Sequence, residues 1–261
     1  MRRIAHLSDL HFGKHDERVA EGLLADLAAL QVHAVAISGD LTQRARRSQF
    51  AAARDFLARI ASPLVVVPGN HDVPLFDLYR RFLEPLDRFR RFISSEPMPL
   101  LRDREVAILG INTARSFTWK DGRVSVEQIA EMERVFTSLP TDVFKVLVAH
   151  HPFHRPPQTA TATVGRGERA LDVLGRCGID LILTGHLHTS HHAQVSVHRT
   201  QPGRLLLVAH AGTAISRRLR EGGNGYNLIA VAEDQVIVEV RRWQRDRFAT
   251  ASQMSYPRPE L

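Results

Sequence analysis

Cysteine is nearly absent. Cys177 is the only one in 261 residues, which excludes an internal disulfide and a thiolate metal cluster and fits a reducing compartment. Long apolar runs are missing too. No stretch approaches the roughly 18 apolar residues that a spanning helix needs. The opening "MRRIAHLSDL" carries two arginines but no long apolar segment behind them, so it does not read as a secretion signal. These absences predict a cytoplasmic protein with no transmembrane segment. Repeats, low-complexity tracts and a P-loop of the form G-x-x-x-x-G-K-[ST] are absent as well. "GRGERA", Gly165 to Ala170, has the outline of a dinucleotide fingerprint, but no firm strand precedes it, so that function is not expected.

What is there has globular proportions, 44% hydrophobic and 24% charged. The net charge is +7, nearly all of the excess arginine. A basic balance suits anionic partners: phosphate esters, nucleic acid or anionic lipid headgroups. Short apolar runs read as buried strands: "RIAHLS", "AVAIS", "PLVVVP", "VAILGI", "KVLVAH", "IDLILT", "RLLLVAH", "NLIAVA" and "QVIVEV". Helical spacing of apolar residues appears over Arg18–Leu30, Gln49–Ile60, Val126–Leu139 and Glu168–Leu174. Strand alternating with helix predicts a layered α/β fold. The last three strands have no helix between them, which predicts an antiparallel part of the sheet. One domain is expected over residues 1–243, with 244–261 a polar, loose C-terminal tail.

The polar residues fall where the strands end. Asp9 and His11 follow the first run, Asp40 the second and Asn70 the third. His150 follows "KVLVA", and His186 and His188 follow "IDLILT". In an α/β sheet, ligands bind beyond the carboxyl ends of the strands. Carboxylate, amide and imidazole without thiolate suit divalent Mn, Fe or Zn. Asp-x-His and His-x-His place both side chains on one side of an extended segment. Seven ligands exceed what one ion needs, so two ions sharing a carboxylate fit the count. Gly39, Gly69 and Gly185 stand just before ligands and allow the sharp exit from each strand.

These blocks, Asp-x-His, Gly-Asp, Gly-Asn-His-Asp, His and Gly-His-x-His, resemble the calcineurin-like metallophosphoesterases over roughly residues 2–227. "HLSDLHFG", "ISGDLTQ" and "VVPGNHD" look most like the bacterial class III cyclic-nucleotide phosphodiesterase group. The resemblance implies a four-layer α/β/β/α sandwich with mixed sheets and a dimetal site at the strand C-terminal ends. It assigns Asp9, His11 and His188 to one ion, Asn70, His150 and His186 to the other, and Asp40 to both. It makes His71 a non-ligand beside the leaving group, with Asp72 expected to orient it. The implied reaction is attack on a phosphodiester by a hydroxide held between the ions. The implied substrate is small, a nucleotide, most closely a 3',5'-cyclic nucleotide.

Other residues have two readings each. His151 is either a loop histidine or a contributor to the cleft, and His210 is either structural or a phosphate contact. Arg115 of "INTAR" can reach phosphate from a strand end. Asn112, beside it, stands where many relatives carry an acid. His6 reads as core, His191 and His192 as surface residues, and His154 as part of a roof over the site. The loop 156–167 is where the family varies and where substrate choice is expected to lie. Residues 78–95, "LYRRFLEPLDRFRRFISS", read either as a helix pair covering the core, broken near Pro85, or as a basic helical cap over the cleft. As a cap it would meet anionic lipid or nucleic acid. Substrate alternatives are therefore a lipid-linked pyrophosphate, a glycerophosphodiester or a nucleic acid. A non-catalytic scaffold is the least favoured alternative, because all seven ligands and His71 are present.

Overall fold

The computed structural model describes residues 1–155, 161–196, 205–219 and 222–258. β1 (Arg2–Leu7) leads through α1 (Glu17–Leu30) to β2 (Ala34–Ile37), and α2 (Arg47–Leu57) leads on to β3 (Leu64–Val66). Both links join parallel neighbours. Two short helices, α3 (Leu78–Leu83) and α4 (Asp87–Phe92), and the strand β4 (Leu100–Arg102) carry the chain to a second sheet. There β5 (Val106–Gly110), α5 (Val126–Thr137), β6 (Phe144–Val148), α6 (Gly167–Arg176) and β7 (Leu181–Thr184) repeat the parallel pattern. Strands β8 (His191–Ser196), β9 (Leu205–His210), β10 (Gly225–Val231), β11 (Gln235–Gln244) and β12 (Arg247–Pro257) follow. The result is two six-stranded mixed sheets, ordered β12-β11-β10-β1-β2-β3 and β4-β5-β6-β7-β9-β8.

The layers follow from the two-residue period of the strands. Along β1 and β2, Ala5, Leu7, Val35 and Ile37 join Leu23 and Leu27 of α1 and Phe50 and Phe56 of α2 in one core. The alternate residues Ile4, Ala34 and Ala36 join Ile108, Val146, Val148 and Leu183 in a second core between the sheets. Beyond the second sheet, Leu109, Leu147 and Ile182 pack on Ile129, Met132 and Phe136 of α5 and Leu174 of α6. Strands buried on both faces therefore read as continuous apolar runs. This is the four-layer α/β/β/α arrangement that the resemblance implied.

Two expectations need correction. Residues 247–257 are no loose tail: β12 pairs antiparallel with β11 from Gln235↔Pro257 to Gln244↔Arg247. Its composition is polar because most of it is exposed at a sheet edge, while Phe248 and Tyr256 are buried. The expected antiparallel part is present: β10 pairs antiparallel with β1 and with β11. β9 is parallel to β7 in the second sheet, whereas β10 and β11 lie in the first. β8, which carries His191 and His192, pairs antiparallel with β9. Those two histidines are half-buried on an edge strand rather than free at the surface.

Candidate metal centre

Five of the seven candidate ligands leave their strands in the left-handed backbone region: Asp9 (φ 55°), His11 (φ 48°), Asp40 (φ 53°), His186 (φ 70°) and His188 (φ 59°). Each such non-glycine residue costs on the order of 1–2 kcal/mol. Strain of this kind concentrates at functional sites, where surrounding structure holds it. Backbone bonds hold it here: the Asp9 amide donates to the Gly39 carbonyl at 3.1 Å and the His11 amide to Asp40 at 3.0 Å. Loops after β1 and β2 are thereby locked together. The loop after β7 is joined to them by the His186 amide, which donates to Asp9 Oδ2 at 3.1 Å.

The side chains converge. Asp9 Oδ1 lies 3.5 Å from His11 Nε2 and 3.3 Å from His188 Nε2. Asp40 offers Oδ2 to His11 Nε2 at 3.8 Å and Oδ1 to His150 Nε2 at 3.5 Å. Asn70 Oδ1 is 3.1 Å from both His150 Nε2 and His186 Nδ1. Asp40 thus stands between a group of Asp9, His11 and His188 and a group of Asn70, His150 and His186.

The donor atoms fit cations. His150 Nδ1 donates to the Ser38 carbonyl at 2.7 Å, so neutral His150 turns its Nε2 lone pair to the site. His11 Nδ1 reaches the Thr42 carbonyl at 3.4 Å and His188 Nδ1 the Thr213 hydroxyl at 2.9 Å. Such outer bonds fix the ring that a metal needs. His186 Nδ1 and His150 Nε2 face each other at 3.2 Å. Asp9 Oδ1 and His11 Nε2 are buried without a hydrogen-bond partner, a costly state that a bound cation relieves. Burial opposes ionisation of Asp9, yet His188, His11 and His150 overcome it and hold the carboxyl far below its usual range. Asp40 is also lowered: burial opposes this, and His150, His71 and His11 outweigh it. Burial, with His150 next to it, pushes His186 down to about 4. Anionic carboxylates and neutral imidazoles are the forms that bind metal.

His71 lies beside the candidate ligands, its ring centroid 4.9 Å from that of His11, but Asp72 does not support it as expected. Asp72 makes no bond to its ring. The Asp72 carboxylate accepts from the amides of Leu41 (3.1 Å), Thr42 (2.8 Å) and Gly69 (3.0 Å) and from the Thr42 hydroxyl (2.9 Å). Asp72 therefore ties the Asp40 loop to the single 3₁₀ turn Asn70–Asp72. The His71 ring is oriented by Gln43, whose carbonyl accepts from Nδ1 at 2.9 Å. Arg218 Nη1 donates to His71 Nε2 at 3.2 Å. Both contacts select the neutral Nδ1–H tautomer, and burial lowers the pKa of the ring despite the Asp40 charge.

The remaining residues are placed as follows. His151 is buried beside His186, ring centroids 4.8 Å apart, with Nδ1 on the Thr113 hydroxyl at 2.8 Å and Nε2 unpartnered. His210 is buried at the end of β9, bonded to the Thr184 hydroxyl at 2.6 Å rather than to any candidate ligand. Arg115 turns its guanidinium to the carbonyls of Asn112 and Ala114 and to Gln128 Oε1, so it clamps its own loop. Asn112 caps that loop through the Ala114 amide at 2.8 Å. His6 is core, hydrogen-bonded to Ser38 at 3.0 Å. His154 is half-buried. Of the loop 156–167, residues 156–160 lie outside the described residues.

The segment 78–95 divides between its two readings. Phe89 of α4 is buried, and Leu86, Phe92 and Ile93 pack against the α1/α2 core. By contrast Leu78, Tyr79, Phe82 and Leu83 of α3 are exposed, as are Phe76, Phe117 and Trp119. Buried Arg81 fastens α3 to the 117–119 loop by donating to the carbonyls of Pro74 (2.9 Å) and Thr118 (2.7 Å) beneath the Trp119 ring. Sequence reasoning missed Gln43, Arg81 and Arg218. Their roles depend on loops distant in the chain, and an arginine in "SRRLRE" carries no local signal.

Layered mixed sheets with these loops at one edge define a metallophosphoesterase. The chain belongs to the calcineurin-like phosphoesterase family, whose model matches residues 2–190. This family is dimetal-dependent, and the protein is a metal-dependent hydrolase of phosphate esters. No curated protein sequence matches it. Among solved structures it is similar to a dimetal phosphatase from Danio rerio, with 13% identity, 99% of each chain covered and a TM-score of 0.71. A purple acid phosphatase from yellow lupin (Lupinus luteus) seeds has 13% identity, with 97% of this chain and 53% of that one covered and a TM-score of 0.68. GAP50, the anchor in the inner membrane complex of Plasmodium, has 11% identity, with 99% and 89% covered and a TM-score of 0.65. At these identities the likeness is one of fold.

Proposed function

We propose that the protein is a phosphodiesterase acting on a small nucleotide phosphodiester, with a 3',5'-cyclic nucleotide the substrate that its motif spelling favours. The observation that carries this reading is the convergence of Asp9, His11 and His188 with Asp40, and of Asn70, His150 and His186 with the same Asp40. These residues would hold two divalent ions, of Mn, Fe or Zn type. Bound there, such ions supply Lewis acidity toward phosphoryl oxygens and make water nucleophilic near neutral pH. The chain's own residues do the rest. Asp40 keeps the two ligand groups in register. His71, steadied by Gln43, presents Nε2 toward the cleft and serves as proton donor to the leaving oxygen once protonated. His151 is the nearest further imidazole to the second group, and we assign it to substrate contact. The geometry of His210 and Arg115 favours structural roles over phosphate contact. A cytoplasmic setting belongs to the same proposal.

One observation favours a second reading. Exposed Trp119 lines a cavity together with Asn70 and His71, and exposed Phe82 of α3 lies against Phe117 of the same loop, ring centroids 5.4 Å apart. A lipid-borne phosphodiester or pyrophosphate would use that apolar rim. No helix among the described residues is long and apolar enough to cross a membrane, so contact would be peripheral.

The test is hydrolysis of bis(p-nitrophenyl) phosphate by metal-stripped protein titrated with Mn²⁺, in wild type and Asp40→Ala. Activity is expected to return in wild type alone, after about two ions per chain. Rates on cyclic AMP, a lipid diphosphate and single-stranded DNA then rank the substrates. Stoichiometric metal binding without turnover of any of them would leave a scaffold.

A further inference from the structure

Two cavities meet at Gln43, Arg44 and Arg218. The inner one, about 240 Å³, contains Asn70 and His71 of the metal centre. The outer one, about 420 Å³, continues away from it between Lys14, Arg44, Arg46 and Arg218. No acidic side chain lines either cavity. Among the described residues, no carboxylate pairs with any of these four cations. Uncompensated like charges around one depression repel each other and focus a positive potential into it.

The depression is also built. Gln49 Oε1 accepts from the backbone amides of Arg44 at 2.9 Å and Arg46 at 3.4 Å, which fixes the loop between them. On the opposite wall, the Arg217 amide and the Ser216 hydroxyl donate to the Lys14 carbonyl at 2.8 and 3.3 Å. The Arg218 amide in turn donates to Ser216 Oγ at 3.0 Å. These bonds bring Arg218 beside Lys14 and hold it against His71. Arg218 therefore links the reacting end of the site to the basic depression.

We propose that the outer cavity is a second anion subsite, so that the preferred substrate carries a second phosphate besides the one hydrolysed. This rests on the phosphodiesterase reading above and keeps its nucleotide phosphodiester class, but replaces the 3',5'-cyclic nucleotide favoured by motif spelling with a diester that carries a further phosphate. A cyclic monophosphate has nothing to place there. A nucleotide diester with a terminal phosphate does.

The test uses metal-loaded protein and three substrates: adenylyl-3',5'-adenosine and its 5'-phosphorylated and 3'-phosphorylated forms. At least one phosphorylated form is expected to show a kcat/KM about ten- to a hundredfold higher, the gain from one or two charge-assisted hydrogen bonds. In the double variant Lys14→Ala/Arg46→Ala that ratio falls to about one. Equal rates on all three in wild type overturn the subsite and leave the phosphodiesterase standing. Calorimetry with adenosine 3',5'-bisphosphate and adenosine 5'-monophosphate gives a readout independent of turnover. The bisphosphate is expected to bind at least about tenfold tighter in wild type and not in the double variant. Equal affinities overturn the subsite. Tighter bisphosphate binding without cleavage of any diester keeps the subsite and removes the phosphodiesterase.

Discussion

Gly69→Ala should cost the protein its metal before it costs the protein its fold. A Cβ at Gly69 would stand 2.2 Å from Asp40 Oδ1, 2.4 Å from the Asp40 amide nitrogen and 2.8 Å from Asp40 Cγ. Ordinary contact begins at 3.4 Å, so the carboxylate must retreat by about 1.2 Å (3.4 less 2.2). The amide nitrogen cannot swing away as a side chain would, so the loop moves as well. Ligand distances in metal sites tolerate only about 0.2 Å. A carboxylate displaced by about six times that leaves both ligand groups. Overpacking of this kind costs about 1–3 kcal/mol of stability, which a domain of this size survives. Calorimetric titration with Mn²⁺ should show the stoichiometry falling below two ions, or affinity weakened at least about a hundredfold. Gly223→Ala is the control. At φ +70° it strains the backbone, but its Cβ meets nothing within 4 Å. It should lower stability by about 1–2 kcal/mol and leave metal binding alone. Gly69→Ala protein that binds two ions as tightly as wild type would refute the reasoning that this backbone crossing sets the position of Asp40.

Three further outcomes are expected. His71→Asn should keep both ions and lower kcat by about 10²–10⁴; loss of metal content along with activity would make His71 a ligand instead. Burial pushes His6 and His210 down to about 3, whereas unfolded histidine titrates near about 6.5. Between those values the unfolded chain binds more protons, so stability falls as pH drops below about 6.5, by about 2 kcal/mol for each histidine at pH 5. Urea denaturation at pH 7.5 and pH 5 should show that difference shrinking by about 2 kcal/mol in His210→Asn, and an unchanged difference would place the pH dependence elsewhere. Arg241 holds both Asp26 oxygens at 2.7 Å and Glu239 at 2.7 Å, all three residues under 20% exposed at their side chains. Arg241→Met leaves two poorly solvated carboxylates without their cation and should destabilise the protein by about 3 kcal/mol in chemical denaturation; a loss below about 0.5 kcal/mol would mean that the ion pair is solvated like a surface pair.

Much of the site was legible because each candidate ligand sits within a few residues of the end of an apolar run. Asp9, Asp40, Asn70, His150 and His186 could be found by following strands to their carboxyl ends, since a parallel sheet gathers those ends at one edge. The layered fold was legible for a related reason: strands buried on both faces are apolar at every position, and only helices between such strands allow a parallel sheet. Composition misled where a strand is mostly exposed. β12 looks like a polar tail because only Phe248 and Tyr256 point inward.

The sequence by itself determined the family, the alternation of strand and helix, and the choice of seven candidate donor side chains. Those are local facts, set by residue type and spacing. Only the tertiary structure decided what holds the donors. Asp72 belongs to the loops of Asp40 and Asn70 and not to the ring of His71, because carboxylate oxygens go to the donors that folding brings within reach. His71 takes Gln43 and Arg218, the latter 147 residues away in the chain. Lys14, Arg44 and Arg46 likewise become one basic depression only when the 213–218 segment packs against the loop after β1. Spacing along a chain carries no information about such neighbours, since it is packing of the whole sandwich that makes them neighbours.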